Sequence, residues 1–525
     1  MPSTIRDLKG PLFDSEAVQR PKYVTLRKGV ASRIARQYQR ILLISPPAVL
    51  YRGDLPRCTY PLGLGYIAAV LEAHEYEVRI LDCLVEGYER RAVVDDEGEF
   101  IRYGLDAESV AETIGSFAPH VVGVSSIFSN QADAVASVFE TVRRVCPSAK
   151  LVTGGAHARY FPNNYLDELG LDAVFLGEAE ASFLQYLEAL NGSADFADVS
   201  NAIVRNCERV YRSDDMTLIR REQRDDNGQW AELDEIPHPA WHLYNMEKYF
   251  SLGAYQSPYT IGSRVGQIYT SRGCSAKCTF CTTTNFWGGK LRRRSPQDVI
   301  NELEALKRDY AIDEFHVQDD NITNDKAHAK ALFRSFEAVK LPWATPQGTA
   351  LWRMDEELLD LMAASGCYQL TFAIESGVQR ILTDLIRKPL NLDRTKHLIG
   401  YARDRGISVH GFFIVGMPPM FGHPGETLEE MDRTFAFAQA SGIDSASFFT
   451  ATPIVGSSLL TECVRQGFVE ATTALYRMSY KQGLISVPGL WSGRDVAARA
   501  AHFNRVFNAG RAKQHARRQW SSAQY

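Results

Sequence analysis

Short apolar segments alternate with helical segments along most of this chain, and this rhythm limits the folds that it can adopt. Residues 40–47 (RILLISPP), 120–127 (HVVGVSSI) and 150–156 (KLVTGGA) are largely apolar at successive positions, as expected of strands that are buried on both faces. Helical patterns separate the strands, for example at residues 107–117 and 130–146. Such strands form a parallel sheet covered by helices, which predicts a doubly wound, Rossmann-like α/β domain over residues 40–199.

A second series of strands and helices follows in residues 256–465. Its predicted strands are residues 266–272, 314–319, 343–348, 368–375, 409–415 and 445–450. Six βα units are too few for a closed eight-stranded barrel, so we expect a partial (β/α)6 TIM barrel with its working face at the carboxyl ends of the strands. Residues 1–39 are interpreted as an N-terminal extension, residues 200–255 as a linker, and residues 466–525 as a C-terminal helical cap.

Composition narrows the possible partners and the cellular setting. The 525-residue chain has a formal net charge of −5 with mixed signs, which does not favour nucleic acid or a membrane surface as a partner. No apolar run approaches a membrane-spanning length, and the N-terminus lacks the apolar core of a signal peptide. Three of the nine cysteines lie within eight residues. This clustering indicates a metal site in a reducing compartment, and we expect a cytoplasmic protein.

The clustered cysteines are Cys274, Cys278 and Cys281, spaced as C-x3-C-x2-C after the first strand of the second series. Three thiolates on one loop can hold three irons of a [4Fe–4S] cubane and leave the fourth iron open to a chelating ligand. A structural zinc ion is the alternative, but such sites normally take four closed ligands. No fourth cysteine or histidine follows at a suitable spacing.

This motif, at this place in the chain, resembles the radical S-adenosylmethionine (SAM) superfamily. In that family the three cysteines begin the first loop of a partial TIM barrel, and SAM chelates the open iron. Segments 316–321, 373–377 and 412–418 also resemble SAM-binding strand ends of the family. The resemblance implies that SAM is bound by Phe280, Asp320, Glu375, Ser376, Val415 and Met417. For Asp319, Asp320 and Asn321, helix capping and turn formation remain an alternative role. A flavodoxin or ferredoxin is the implied reductant.

The N-terminal domain resembles the cobalamin-binding domains that are fused to one class of radical SAM enzymes. The matching segments imply that cobalamin is bound by Pro61, Leu62, Gly63, Ser125, Ser126, Gly154, Gly155, His157, Gly177 and Glu178. Glycines 154 and 155 would permit close approach of a bulky ligand, and the two serines would offer hydroxyls to its nucleotide tail. A generic nucleotide-binding domain is the alternative. The absence of G-x-G-x-x-G after the first strand argues against NAD, and the absence of D-x-H-x-x-G implies cobalt without a lower histidine ligand.

Together the two domains resemble class B cobalamin-dependent radical SAM methyltransferases. The resemblance implies transfer of a methyl group from methylcobalamin to an unactivated sp3 carbon. The resemblance covers the whole chain for those members of the class that methylate C2 of cytidylyl-2-hydroxyethylphosphonate in fosfomycin biosynthesis. For such a small-molecule substrate, we predict phosphate and phosphonate contacts from Lys290, Arg292, Arg293 and Arg294, a run that is alternatively a solvated basic turn.

Three alternatives to this function remain at the level of the sequence. One is a cobalamin-dependent radical SAM oxidoreductase or cyclase, which would use the same cofactors without transferring a methyl group. Another is a methyltransferase that acts on a different natural product. The third is a non-catalytic cobalamin or redox sensor, which the SAM-binding strand ends disfavour because a sensor does not need them.

Overall fold

The structure is a computed structural model that describes residues 21–26, 36–54, 56–213, 215–470, 473 and 478–509. The chain divides into two compact units. The first contains the described residues up to Glu222 together with Glu232–Ala254, and the second contains Gln223–Ala231, Tyr255–Glu470 and the described residues from Tyr480 onward. Most of the predicted N-terminal extension lies outside the described residues.

The first unit is built on a sheet of mostly parallel strands. Its strands are β1 (Lys22–Val24), β2 (Arg40–Ser45), β3 (Ala48–Tyr51), β4 (Glu77–Asp82), β5 (Arg91–Val93), β6 (Phe100–Tyr103), β7 (Val121–Ser125), β8 (Lys150–Gly154), β9 (Ala173–Phe175), β10 (Ala202–Asn206), β11 (Arg209–Arg212) and β12 (Thr217–Ile219). Its helices are α1 (Leu62–Ala73), α2 (Cys83–Glu86), α3 (Ala107–Phe117), α4 (Ala132–Val145), α5 (Ala156–Tyr160), α6 (Glu180–Leu190) and α7 (Met246–Leu252).

The main sheet of this unit has the strand order β11-β10-β9-β8-β7-β2-β4. Strands β9, β8, β7, β2 and β4 are parallel to one another. Strand β10 pairs antiparallel with β9, and β11 pairs antiparallel with β10. This is the predicted doubly wound sheet. A small antiparallel sheet, β3-β6-β5, was not expected from the sequence, because its strands are short and do not form long apolar runs.

The predicted linker, residues 200–255, is largely integrated into the first unit, and that interpretation needs correction. Strands β10 and β11 extend the sheet, while Trp241, Tyr244 and Tyr249 surround the buried ring of Tyr60. The Tyr60 and Tyr249 rings stack with centroids 4.1 Å apart. Short strands among clustered charges give weak periodicity, which is why the sequence alone indicated a linker.

The second unit is an open barrel of parallel strands in chain order. Its strands are β13 (Val265–Ile268), β14 (Ser271–Arg272), β15 (Arg292–Arg293), β16 (Glu314–Val317), β17 (Trp343–Thr349), β18 (Cys367–Glu375), β19 (Ser408–Val415) and β20 (Ser445–Thr450). Its helices are α8 (Thr283–Trp287), α9 (Pro296–Tyr310), α10 (Lys326–Val339), α11 (Glu356–Ala364), α12 (Leu392–Asp404), α13 (Leu428–Ala440), α14 (Ser458–Gln466) and α15 (Gly493–Asn508). The sheet order β13-β16-β17-β18-β19-β20 matches the predicted (β/α)6 barrel.

Local sequence signals fix the helix starts of this unit. Ser295 caps α9 by accepting from the Asp298 amide at 3.2 Å, and Pro296 takes the first helical position, where both residue types are preferred. Thr427 and Glu430 form a capping box at the start of α13. Among the described residues, none of the helices is long and apolar enough to cross a membrane.

Helix α15, in the predicted C-terminal helical region, covers the free edge of β20. The Asn504 side chain pairs with both backbone groups of Phe448, at 2.9 and 2.7 Å. The Asn508 side chain pairs in the same way with Ala446, at 3.2 and 2.9 Å. An open barrel leaves unpaired backbone groups at its last strand, and these two amides satisfy them.

Candidate active site

The cysteine loop, residues 273–281, is held at its base by a two-residue ladder. Strand β14 precedes the loop and pairs antiparallel with β15. Gly273 begins the loop with a φ of +99°, and a Cβ at this position would lie 1.9 Å from the Lys290 carbonyl oxygen. Only glycine combines this backbone conformation with so close a neighbour. The sequence therefore fixes where the three cysteines leave the sheet.

The three thiols lie close enough to influence one another electrostatically. Burial raises the pKa of Cys278 to about 12, and the neighbouring thiols Cys281 and Cys274 contribute to that increase. Burial also raises the pKa of Cys274 and Cys281. In the described part of the chain, no three His, Cys, Asp or Glu side chains converge on one metal ion. A cubane does not need such convergence, because each thiolate binds a different iron. Three thiolates on one loop match the three protein ligands of a [4Fe–4S] cubane with one open iron.

Two consecutive aspartates after β16 anchor the cysteine loop. Asp319 is buried and accepts hydrogen bonds from the Thr270 amide, the Thr270 hydroxyl and the Ser271 hydroxyl, each at 2.6 Å. Burial raises the pKa of Asp319 to about 6. Asp320 accepts from the Gly273 amide at 2.9 Å and from the Thr283 hydroxyl at 3.2 Å. Both aspartates thus brace the loop, which supports the turn-forming role that the sequence left open.

A buried ion pair lies beside the cysteines. Lys388 donates to Glu375 at 2.8 Å, and both side chains are less than a tenth exposed. Burial lowers the pKa of Lys388, but Glu375 and the thiols of Cys278 and Cys274 raise it, and the net pKa is above the ordinary value. Glu375 ends β18 with a φ of +71°. Such strain in a non-glycine residue costs ~1–3 kcal/mol and is concentrated at functional sites.

The other predicted SAM residues differ in accessibility. Phe280 is partly exposed, whereas the side chains of Ser376, Val415 and Met417 are buried. The hydroxyl of Ser376 lies 3.2 Å from that of Thr434 and accepts from the Val378 amide. Ser376 therefore stabilises the turn after β18. The side chains of Val415 and Met417 are apolar, and the Met417 amide and carbonyl oxygen already pair with Glu426, so polar contacts to a ligand would come from backbone groups near these two residues.

Glu426 holds the segment that follows β19, a role that sequence reasoning missed. One carboxylate oxygen accepts from the amides of Gly416 and Met417 at 2.7 and 3.1 Å. The other oxygen is buried without a hydrogen-bond partner. Burial raises the pKa of Glu426 to about 8. A carboxyl group in this position fixes the backbone next to Val415.

The basic run after the cysteine loop has a structural role that the sequence did not predict. Arg294 is buried and donates to Asp298 at 2.6 Å and to Glu302 at 2.5 Å. Arg293 pairs with Asp325. Arg292 is fully buried and lies against the Trp287 ring, 5.3 Å from its centroid. These three arginines therefore build β15 and its surroundings instead of a phosphate site, and of the predicted set only Lys290 is exposed.

In the first unit, the predicted cobalamin residues lie where the parallel strands end. The accessible ones are Pro61, Gly63, Ser125, Gly154, Gly155 and Gly177. A Cβ on Gly63 would meet nothing within 4 Å. Ile127 and Phe128, directly after Ser126, are 48% and 58% exposed. Large apolar side chains so exposed at a sheet's ligand-binding edge suit contact with a bulky ligand.

Four predicted cobalamin residues are instead buried within the unit. Leu62 packs in the core, and Ser126 hydrogen-bonds Tyr165 at 2.6 Å. His157 lies 3.0 Å from the Ser129 hydroxyl, and burial lowers its pKa to about 3. Glu178 accepts from the Ile219 amide at 2.6 Å. The side chains of Ser126, His157 and Glu178 therefore organise neighbouring segments, and Leu62 contributes to the core.

The conformation of Gly155 has a related structural cause. Its φ is +116°, and a Cβ would lie 2.5 Å from the Ser126 carbonyl oxygen. The sequence suggested that Gly154 and Gly155 let a ligand approach. At Gly155 the close neighbour is another protein loop, so this glycine joins the ends of β7 and β8.

Lys388, Glu426, Ile127 and Phe128 were missed by sequence reasoning. The lysine of Arg387-Lys388-Pro389 carries no motif, and burial of its ammonium depends on tertiary packing. The apolar pair 127–128 was available as a signal, since it follows a strand that is already apolar.

Comparison with known proteins identifies two domain families along the chain. Residues 49–187 match the B12 binding domain family, and residues 268–438 match the Radical SAM superfamily. A cytidylyl-2-hydroxyethylphosphonate methyltransferase from Streptomyces wedmorensis is 59% identical over 93% of this chain and 94% of its own length. An anaerobic magnesium-protoporphyrin IX monomethyl ester cyclase from Rubrivivax gelatinosus is 25% identical over 81% of this chain and 70% of its own length.

A solved structure is similar over most of the chain. The radical SAM methyltransferase TsrM from Kitasatospora setae, with cobalamin and a [4Fe–4S] cluster bound, matches with a TM-score of 0.63. It is 18% identical, and the match covers 90% of this chain and 85% of that one. This similarity confirms the fold, and the two family matches confirm the predicted cofactors: a [4Fe–4S] cluster, SAM and cobalamin. The chain belongs to the cobalamin-dependent radical SAM methyltransferases.

Proposed function

We propose that this enzyme methylates C2 of cytidylyl-2-hydroxyethylphosphonate, a step of fosfomycin biosynthesis. The observation that carries the proposal is the 59% identity to the methyltransferase named for that substrate, which extends over 93% of the chain. Substrate identity in this family is not encoded in one short motif, so similarity across both domains is the relevant support.

Cys274, Cys278 and Cys281 are the proposed ligands of the cluster. When bound, the cluster, SAM and cobalamin together supply a hydrogen-abstracting radical and a transferable methyl group. The chain holds the thiols ready by bracing the loop with Asp319 and Asp320. A flavodoxin or ferredoxin is the proposed source of electrons.

The Lys388–Glu375 pair is proposed to orient the amino-acid part of SAM. A zwitterion presents one ammonium and one carboxylate, and a lysine and a glutamate offer the opposite charges. The pair is buried, and charges in a buried site interact more strongly than in water. Phe280 is proposed to contact the adenine, with backbone groups near Val415 and Met417 and the carboxylate of Asp320 completing the SAM site.

Cobalamin is proposed to rest on the accessible strand ends of the first unit. Gly63, Ser125, Gly154 and Gly177 provide backbone groups and one hydroxyl, and Pro61 lies at the start of α1. Ile127 and Phe128 would cover part of the ligand's apolar surface. The buried residues Leu62, Ser126, His157 and Glu178 are proposed to act only through the loops that they hold.

The proposal is tested by anaerobic assay of the fully reconstituted enzyme with SAM, cobalamin, a reductant and the cytidylylated phosphonate. Mass spectrometry should detect a product heavier by one methyl group in place of one hydrogen. The matched control is 2-hydroxyethylphosphonate without the cytidylyl group, which should react poorly. Equal methylation of both compounds, or of neither, would contradict the proposed substrate.

An oxidoreductase or cyclase is a second candidate, favoured by the similarity to the magnesium-protoporphyrin cyclase. The same assay separates the two reactions. Methylation predicts S-adenosylhomocysteine and 5′-deoxyadenosine in about equal amounts, whereas an oxidoreductase or cyclase would release 5′-deoxyadenosine without S-adenosylhomocysteine.

A further inference from the structure

Three glutamine side chains form a connected amide cluster in the second unit. Gln347 donates through Nε2 to Oε1 of Gln318 at 2.7 Å and to Oε1 of Gln256 at 3.0 Å. Gln256 returns a longer hydrogen bond to Oε1 of Gln347, at 3.3 Å. Both donors of the Gln347 amide are therefore engaged, while its carbonyl oxygen keeps a lone pair for another donor.

A bulge in β17 displays Gln347. Thr345 pairs with Leu370 and Thr349 pairs with Phe372. Between these two pairs, β17 advances by four residues while β18 advances by two. Gln347 is the exposed residue of this strand, and the positions that flank it, Pro346 and Gly348, are buried. Bulges of this kind re-aim a side chain and are frequent beside active sites.

Gln318 lies directly behind this exposed amide. It is 5% exposed, and its Nε2 is buried without a hydrogen-bond partner. Its orientation is set by Gln347, because Oε1 must face the Gln347 donor. A buried amide left half satisfied is unfavourable. In this arrangement Nε2 of Gln347 faces its two glutamine partners, and Oε1 of Gln347 keeps a lone pair for a further donor.

An aromatic ring lies next to the bulge. Gly348 has a φ of +100°, and a Cβ there would lie 3.6 Å from the ring of Phe412. Phe412 is partly exposed and packs edge-on against Phe449, with centroids 5.4 Å apart. The partly exposed Phe412 ring therefore lies against position 348, next in sequence to the exposed Gln347.

This chemistry suits a planar, uncharged group better than a phosphate. An amide carbonyl accepts hydrogen bonds and would repel phosphate oxygens, whereas an aromatic face stacks on a nucleobase. Arg293 and Arg294, which could have attracted an anion, are held by Asp325, Asp298 and Glu302. The amide cluster is therefore matched to a base that carries an exocyclic amine.

We propose that Gln347 reads the cytosine of the nucleotidylated substrate by accepting a hydrogen bond from its N4 amine, with Gln318 as a positioning residue. This inference rests on the proposed function and adds the residues that select the base. Uracil carries a carbonyl at the same place. With a uridylyl substrate, the uracil carbonyl oxygen would face the Gln347 carbonyl oxygen, and the two acceptors would repel each other. Cytosine should therefore be preferred over uracil.

The test compares kcat/KM for the cytidylyl and uridylyl forms of the phosphonate in the wild-type enzyme and three variants. Gln347→Met keeps the length of the side chain but removes the acceptor. We expect the ratio of kcat/KM for the cytidylyl form to that for the uridylyl form to fall about tenfold, as for the loss of one or two hydrogen bonds. Gln318→Met should lower the same ratio by a smaller factor than Gln347→Met does. Gln297→Met, at an exposed position of α9, is the matched control and should keep the wild-type preference.

Substrate-independent formation of 5′-deoxyadenosine, measured on the same samples, reports whether the cofactor site is intact in each variant. The inference is overturned if the wild-type enzyme uses both nucleotides equally, or if Gln347→Met lowers both reactions by one factor and leaves the preference unchanged. If the wild-type enzyme methylates neither nucleotidylated phosphonate, the proposed function itself fails and the base site fails with it.

Discussion

Replacing Gly273 by alanine should prevent the cysteine loop from holding its cluster. The new Cβ would lie 1.9 Å from the Lys290 carbonyl oxygen, whereas a carbon–oxygen contact is normally ~3.3 Å or more. The loop or its neighbour would have to move by about 1.4 Å to restore such a contact. A displacement of that size is enough to spoil a site that depends on fixed ligand positions.

The energetic cost can be worked out from two effects. Alanine at a left-handed φ costs ~1–2 kcal/mol relative to glycine. Displacing the loop also breaks the 2.9 Å hydrogen bond from the Gly273 amide to Asp320, which is worth ~1.5–3 kcal/mol because the acceptor is ionised. Together these effects predict about 3–5 kcal/mol of local destabilisation.

The assay is anaerobic reconstitution followed by iron analysis and cluster absorbance. Gly406→Ala is the matched control, because Gly406 has a φ of +81° but a Cβ there would meet nothing within 4 Å. Gly273→Ala should retain little iron and produce little 5′-deoxyadenosine, while Gly406→Ala should load like the wild-type protein. Wild-type iron content and SAM cleavage in Gly273→Ala would refute this reasoning.

Further predictions concern the ligands, the buried charges and pH. Cys278→Ala should abolish 5′-deoxyadenosine formation and leave cobalamin bound, as measured by product analysis and absorbance; loss of cobalamin would contradict the assignment of the two sites. Lys388→Met leaves the buried Glu375 carboxylate uncompensated and should weaken SAM binding more than Lys388→Arg does, by equilibrium binding; equal affinity would exclude the proposed charge role. Arg294→Met should lower the free energy of unfolding by about 3–5 kcal/mol, since two carboxylates lose their partner, whereas Lys290→Met should not; an effect confined to substrate KM would restore the phosphate role. The folded pKa of Glu426 is about 8, above its ordinary 4.5, so the folded state retains a proton that the unfolded chain has lost. The stability that this proton contributes is fully present below the unfolded pKa of 4.5 and is lost as the pH rises through the folded pKa of about 8. Glu426→Gln should therefore gain stability relative to wild type between about pH 5 and about pH 8, and a pH-independent difference in denaturant unfolding would contradict the shift.

Much of the fold followed from local patterns. Strand β20 and helix α3 have the predicted bounds, because their apolar periodicity, caps and flanking turns agree with one another. The cysteine spacing also indicated the cluster site, since its three ligands come from one short loop. These features depend on neighbours in sequence, which a single chain displays directly.

Features that depend on distant packing were less accessible. Lys388 is buried and pairs with Glu375, thirteen residues earlier in the chain. Nothing in the sequence around Lys388 indicates that it is buried. Arg294 has carboxylate partners only four and eight residues away, Asp298 and Glu302, but the sequence alone does not show that these pairs are buried. A charged residue has the same sequence signature whether it binds a ligand or another side chain, so burial and partners decide between the two.

The most direct test of the central claim is the electron paramagnetic resonance spectrum of the reduced cluster with and without SAM. Three thiolate ligands leave one iron open, so we predict that SAM changes the spectrum of the wild-type protein. Zinc at these thiols, or a [4Fe–4S] cluster whose spectrum SAM does not alter, would contradict the account.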